Sequence, residues 1–165
     1  MTTDAESDER EPRQTTESSG PRESVRKTEP PLVDDTEILA LAEQFANCRW
    51  PCEQWTHRAH LAVALVYLEQ WSFEEALTRL RHDIVRYNSA CGKPNSYHET
   101  VTVFFLRRIA AHREAHPHRS LPVLVEDLVQ VCSMQSLDEH YSRELLGSPA
   151  ARSSWQPPDR RPLNM

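Results

Sequence analysis

The chain has 165 residues, 38% hydrophobic and 27% charged, which allows one modest domain plus tails. A formal charge of -6 and a pI near 5.7 leave no broad basic field, so nucleic acid and anionic membrane are not expected as partners. Twelve prolines against three glycines speak against Gly-rich phosphate-cradling loops, and no nucleotide or flavin cofactor is expected.

Residues 1–31 are rich in Thr, Ser, Glu, Asp, Arg and Pro and nearly free of large apolar groups, which predicts a disordered tail. No apolar run approaches the roughly 20 residues needed to span a bilayer, and the N-terminus is acidic where a signal peptide is basic. The expected compartment is therefore cytoplasmic. Cys48, Cys52, Cys91 and Cys132 are expected there as reduced thiols, with no disulfide.

Asp34 and Asp35 precede Ile38, Leu41, Ala42 and Phe45, the spacing of a first helix ending near Asn47. Cys48 to Trp55 forms a connector, because Pro51 cannot continue a helix. Thr56 is the expected cap of the next helix, whose stripes His57, Leu61, Ala64, Leu65, Leu68 and His60, Ala64, Tyr67, Trp71 leave little polar surface. So apolar a helix belongs in the middle. Ser72 and Glu75 form a capping box for a third helix that Gly92 stops.

Ser96-Tyr97-His98-Glu99 reads as a second capping box, placing His98 on one face with Val101, Thr102, Phe105 and Ile109. His112, His116 and His118 at the far end read as surface residues. Leu121-Pro122 opens a short helix, and Ser136-Leu137-Asp138-Glu139 caps another that reaches Leu146. One turn at Ser148-Pro149 follows, then a strap carrying Trp155, Pro157, Pro158 and Asp159. The expectation is an all-α bundle of about six helices over residues 32–159, with 160–165 a disordered C-terminal end.

Candidate chemistry centres on His57, His60 and His98. A separation of three residues puts His57 and His60 about 60° apart around their helix, so they can share a target. Helix N-termini disfavour imidazolium, leaving the neutral rings that ligate metal or accept protons. With Glu99 or Tyr97 as accessory groups, the set suits a divalent Fe, Mn or Zn ion acting on a small-molecule substrate. The same dipoles favour an anion, which gives a metal-free alternative with Arg58 or Arg143 as a clamp. A third reading makes the histidines structural, bonded to backbone or Tyr67, in a helical interaction module. Cys48, Cys52, His57 and His60 do not make a zinc finger, since only four residues separate the pairs where fingers leave about a dozen. No Gly-x-Ser-x-Gly elbow is present. Oligomeric state and reaction type are open.

The set Trp55-Thr56-His57-Arg58-Ala59-His60-Leu61, Tyr97-His98-Glu99-Thr100, Tyr141-Ser142-Arg143-Glu144-Leu145 and Ser148-Pro149-Ala150-Ala151-Arg152, closed by Pro158-Asp159, resembles a group of small, uncharacterised bacterial helical proteins. The resemblance covers roughly residues 45–162 and carries no activity. It implies that these motifs form a set and that the C-terminal strap contributes to the same pocket. The cysteine spacing is no part of the pattern.

Overall fold

The computed structural model describes residues 28–163, which form eight α-helices and no strand. Helix α1 (Asp35–Ala46) begins where Asp34 Oδ1 accepts from the Glu37 amide at 2.8 Å, and it buries Ile38, Leu41, Ala42 and Phe45. The connector closes with a single 3-10 turn, Cys52–Gln54. Helix α2 (His57–Gln70) starts at Thr56, whose hydroxyl accepts from the Ala59 amide. Every residue from Leu61 to Leu68 is buried, which is the mark of a helix enclosed by protein all round.

Helix α3 (Phe73–Ala90) opens with both bonds of the Ser72–Glu75 capping box. Its end is a Schellman turn: Gly92 N–H donates to Ser89 O at 3.0 Å, Lys93 N–H to Asn88 O at 2.8 Å, and Gly92 has φ +72°. Helix α4 (Glu99–Ala115) buries Val103, Phe104, Leu106 and Ile109, and α5 (Leu121–Val131) buries Leu124, Val125 and Leu128. Helix α2 packs against α1, α3, α4 and α5 and so forms the axis of the main core.

Three short helices complete the fold: α6 (Met134–His140), α7 (Arg143–Gly147) and α8 (Pro149–Ser153). One helix starting at Ser136 was expected to run to Leu146, but Ser133 is the cap and the helix stops at His140. Tyr141 turns extended and is fully buried with Phe104 and Leu137, while the Ser142 amide donates to Asp159 Oδ1 at 2.8 Å. A continuous helix would give up both. The strap then crosses this second core, with Tyr141 Oη donating to Gln156 O and Thr100 Oγ1 to Ser154 O.

Both expected boundaries move outwards. Thr28 N–H donates to Glu53 O, Glu29 accepts from the Thr56 hydroxyl, and Leu32 is buried. At the other end Arg160 N–H donates to His140 O, His140 Nδ1 donates to Arg161 O, and Leu163 packs on the second core. The remainder of the expected tail, 1–27, and residues 164–165 lie outside the described residues. Among those described, no helix is long and apolar enough to cross a membrane.

The expectation of four reduced thiols is corrected. Cys52 and Cys91 form a disulfide between the connector and the C-terminal cap of α3, their Cα atoms 5.8 Å apart, while Cys48 and Cys132 are free. A pairing 39 residues apart in sequence leaves no local signal. Alkylation of denatured, unreduced protein is expected to label two cysteines, rising to four after reduction. Loss of the cross-link is expected to cost about 3–4 kcal/mol by loop entropy, read as a urea-midpoint difference between oxidised and reduced protein.

Of two glycines whose added Cβ would meet nothing within 4 Å, only Gly92 has a left-handed φ. Gly92→Ala is therefore expected to destabilise by about 1 kcal/mol in urea unfolding, whereas Gly147→Ala should be neutral or slightly stabilising.

Candidate functional site

The first turn of α2 carries the imidazole pair. His57 Nε2 lies 2.6 Å from Cys132 O at the end of α5, and its ring meets Phe105 of α4 edge to face at 5.2 Å. His60 Nδ1 lies 2.6 Å from Thr56 O, and its ring stacks on Trp55 at 3.8 Å. Trp55 stacks in turn on Phe45 of α1 at 4.5 Å. A carbonyl oxygen only accepts, so His57 carries its proton on Nε2 and His60 on Nδ1 when neutral.

Both rings border a cavity of about 270 Å³ between α2, α3 and α4, partly open to solvent. Leu61 and Ala64 of α2, Leu80 and Ile84 of α3, and Phe105 and Ile109 of α4 supply its walls. Trp55 and Met134 also border it. Among the described residues, the polar side chains on the lining apart from the Trp55 indole are His57, His60 and Thr102, and none is a carboxylate. The Thr102 hydroxyl donates to His98 O at 3.0 Å.

The structure brings His57 and His60 to one place but not His98. That residue is itself the cap of α4: Nδ1 accepts from the Val101 amide at 3.4 Å and Nε2 donates to Leu146 O at 2.8 Å. With both nitrogens engaged, the neutral ring has no lone pair left for a metal. The expected Ser96 cap is corrected accordingly. Ser96 sits in the preceding turn with its amide on Lys93 O, and an imidazole takes the capping role of a hydroxyl. Among the described residues, no group of three His, Cys, Asp or Glu side chains is placed to hold a metal ion.

Glu99 and Tyr97 belong to a different construction. Glu99 is only 5% exposed and receives the Arg81 guanidinium on both oxygens, with Nε at 3.0 Å from each, and the Tyr97 hydroxyl at 2.6 Å. Burial opposes ionisation of Glu99, but the bonds from Arg81 and Tyr97 outweigh it and hold the carboxyl below its usual range. Burial and Glu99 together push the Tyr97 phenol far above its usual range. This clamp ties the start of α4 to α3, and none of its three members borders the cavity. Tyr97 comes nearest, through an interaction with Thr102.

Arg58 pairs with Glu126 of α5, and Arg143 is exposed on α7, so neither clamps anything in the cavity. Tyr67 does not meet the histidines, since its hydroxyl donates to Asp83 at 2.6 Å. Burial first, then Asp83, raises that phenol far above its usual range. His112 and His116 are half-buried rather than on the surface, their rings 4.3 Å apart, with His112 Nε2 3.5 Å from Asp127 of α5. Only His118 of that trio is exposed.

No family model, curated protein or solved structure matches the chain. Sequence reasoning placed Phe105, Ile109 and Thr102 on the correct helix face but did not assign them to a site. Leu80 and Ile84 read only as the apolar stripe of the third helix and Met134 gave no cue, because apolar residues that wall a cavity read like those that fill a core.

The Arg81–Glu99 pair has a pH signature. A carboxyl whose folded-state pKa is depressed adds stability above its unfolded pKa and loses it as pH falls through the folded one. Arg81 is 45% exposed at its side chain, which reduces the effect. Glu99→Gln is expected to lower stability by about 1–2 kcal/mol at pH 7. The gap to the unaltered protein should close in urea titrations at progressively lower pH.

Proposed function

We propose that the protein binds a small, mostly apolar molecule in the cavity between α2, α3 and α4. The observation that carries this reading is the cavity itself, about 270 Å³ with aliphatic and aromatic walls and its imidazoles on the first turn of one helix. Protein interiors are close-packed, so apolar walls left facing an unfilled hollow are surface that a fitting guest would cover. Water can enter through the open side but finds few partners on such walls, so an apolar guest gains what water cannot.

A divalent metal shared by His57, His60 and His98 draws no support from this arrangement. His98 is committed to capping, the described residues of the lining offer no carboxylate to balance the charge, and the N-terminal dipole of α2 opposes a cation. The structural role of His98, by contrast, accords with the reading that needs no metal. Binding is the function proposed, since the size and apolar walls of the cavity speak to a guest and to no particular reaction.

Naphthalene serves as the test probe. Its Kd is expected on the order of 100 µM by calorimetry. Ala64→Met, which puts a pliable side chain into the cavity, should weaken binding at least about tenfold while leaving the melting temperature unchanged or raised. No binding of the probe, together with a destabilised Ala64→Met variant, would mean that the volume is tightly constrained and not a binding site.

A further inference from the structure

We infer that the Cys52–Cys91 disulfide is a redox switch on the cavity. Oxidised, it holds two of the walls at the spacing that fits an apolar guest; reduced by a dithiol, it lets that end of the site loosen and the guest leave. The inference rests on the small-molecule reading above and adds its regulation.

Helices α2 and α3 are joined only by Trp71 and Ser72 and pack against each other as an antiparallel hairpin. The short turn closes one end, and the Tyr67 hydroxyl on Asp83 ties the two helices further along. At the opposite end α2 begins and α3 finishes, and no turn joins them. There His57, His60 and Ala64 of α2 and Leu80 and Ile84 of α3 border the cavity instead of filling the space between the helices. Side-chain packing across the hairpin is therefore thinnest where the site lies.

The disulfide spans this same end. Cys52 opens the 3-10 turn that leads into Trp55, and Cys91 is the C-cap of α3, their Cα atoms 5.8 Å apart. The covalent ring so formed runs through the whole of α2 and α3, so it limits how far these two walls can part. It also fastens the approach to Trp55, which borders the cavity and stacks on His60 at 3.8 Å. A guest that fits only the closed arrangement binds in proportion to the time spent closed.

The bond is placed for exchange. Cys52 is exposed and Cys91 half-buried, so a small reductant reaches it from solvent. A thiolate of the dithiol attacks Cys52 Sγ, the S–S bond breaks, and Cys91 leaves as a thiolate that takes up a proton. The second thiol of the reductant then attacks its own partner sulfur in the mixed disulfide and displaces Cys52. Two electrons pass to the protein, which gains two thiols, and the dithiol becomes a cyclic disulfide. Other ties persist: Tyr87 Oη donates to Trp50 O at 3.0 Å and Arg86 donates to Ala46 O, both linking α3 to the chain ahead of α2. The reduced protein is thus loosened but not unfolded, and reoxidation restores the brace.

Calorimetry with naphthalene on the full chain, oxidised and then in dithiothreitol, tests the switch. Binding is expected to be about fivefold weaker in the reduced state and to recover once the bond is re-formed. The double variant Cys52→Ser, Cys91→Ser should bind like the reduced chain and ignore dithiothreitol, whereas Cys48→Ser should respond as the unaltered protein does. Far-UV circular dichroism monitors folding throughout. Equal affinity in the two states would overturn the switch and leave the cavity reading intact. Loss of the helical signal on reduction would overturn it too, making the bond a staple of the whole fold. If naphthalene binds neither state, the cavity reading and the switch fall together.

Discussion

The enclosure of α2 is the constraint that orders the rest of this molecule. A helix with no water-facing stretch from Leu61 to Leu68 must be covered on every side, and α1, α3, α4 and α5 are the four covers. At an order of 1.5–3 kcal/mol for each large aliphatic side chain taken out of water, this one segment supplies a large part of the drive to fold. Its first turn brings polar side chains into the arrangement. There Thr56, His57 and His60 bond to backbone or to a neighbouring carboxylate, so none is left costly in the interior. The cavity lies beside that turn, with α3 and α4 supplying its other walls.

Much of this was legible from local rules. Asp34, Thr56 and Ser72 cap the helices expected of them, Gly92 stops α3, and the unbroken apolar run after His60 marked the central helix in advance. Each of these depends on residues within one or two turns. The failures share the opposite character. Tyr141 leaves the helix because Phe104 and Leu137 receive it and Asp159 takes the next amide, and neither partner is a neighbour in sequence. The Cys52–Cys91 bridge joins elements that only the completed bundle brings together.

The site was legible by half. That His57 and His60 share a target follows from helical periodicity, and both do border one cavity. His98 occupies an equivalent place at the start of its own helix, yet an imidazole can cap as a hydroxyl can, and the leading Ser96 drew attention away from that. Glu99 illustrates the same ambiguity in a charged residue. Read in isolation it is a spare carboxylate beside three histidines, but Arg81, midway along the preceding helix, claims both of its oxygens. Only tertiary contacts separate a reactive group from a fastened one.

One hydroxyl has a consequence for how the molecule comes apart. Thr56 Oγ1 accepts from the first turn of α2 and at the same time donates to Glu29, while Leu32 lies buried close by in sequence. The segment from Thr28 to Leu32 and the start of the central helix are therefore thermodynamically linked: peeling the former strips an acceptor from the cap and wets the core edge. Local opening there propagates straight to the histidine-bearing turn, so the ordering of a few residues ahead of the first helix helps set how long that turn stays closed.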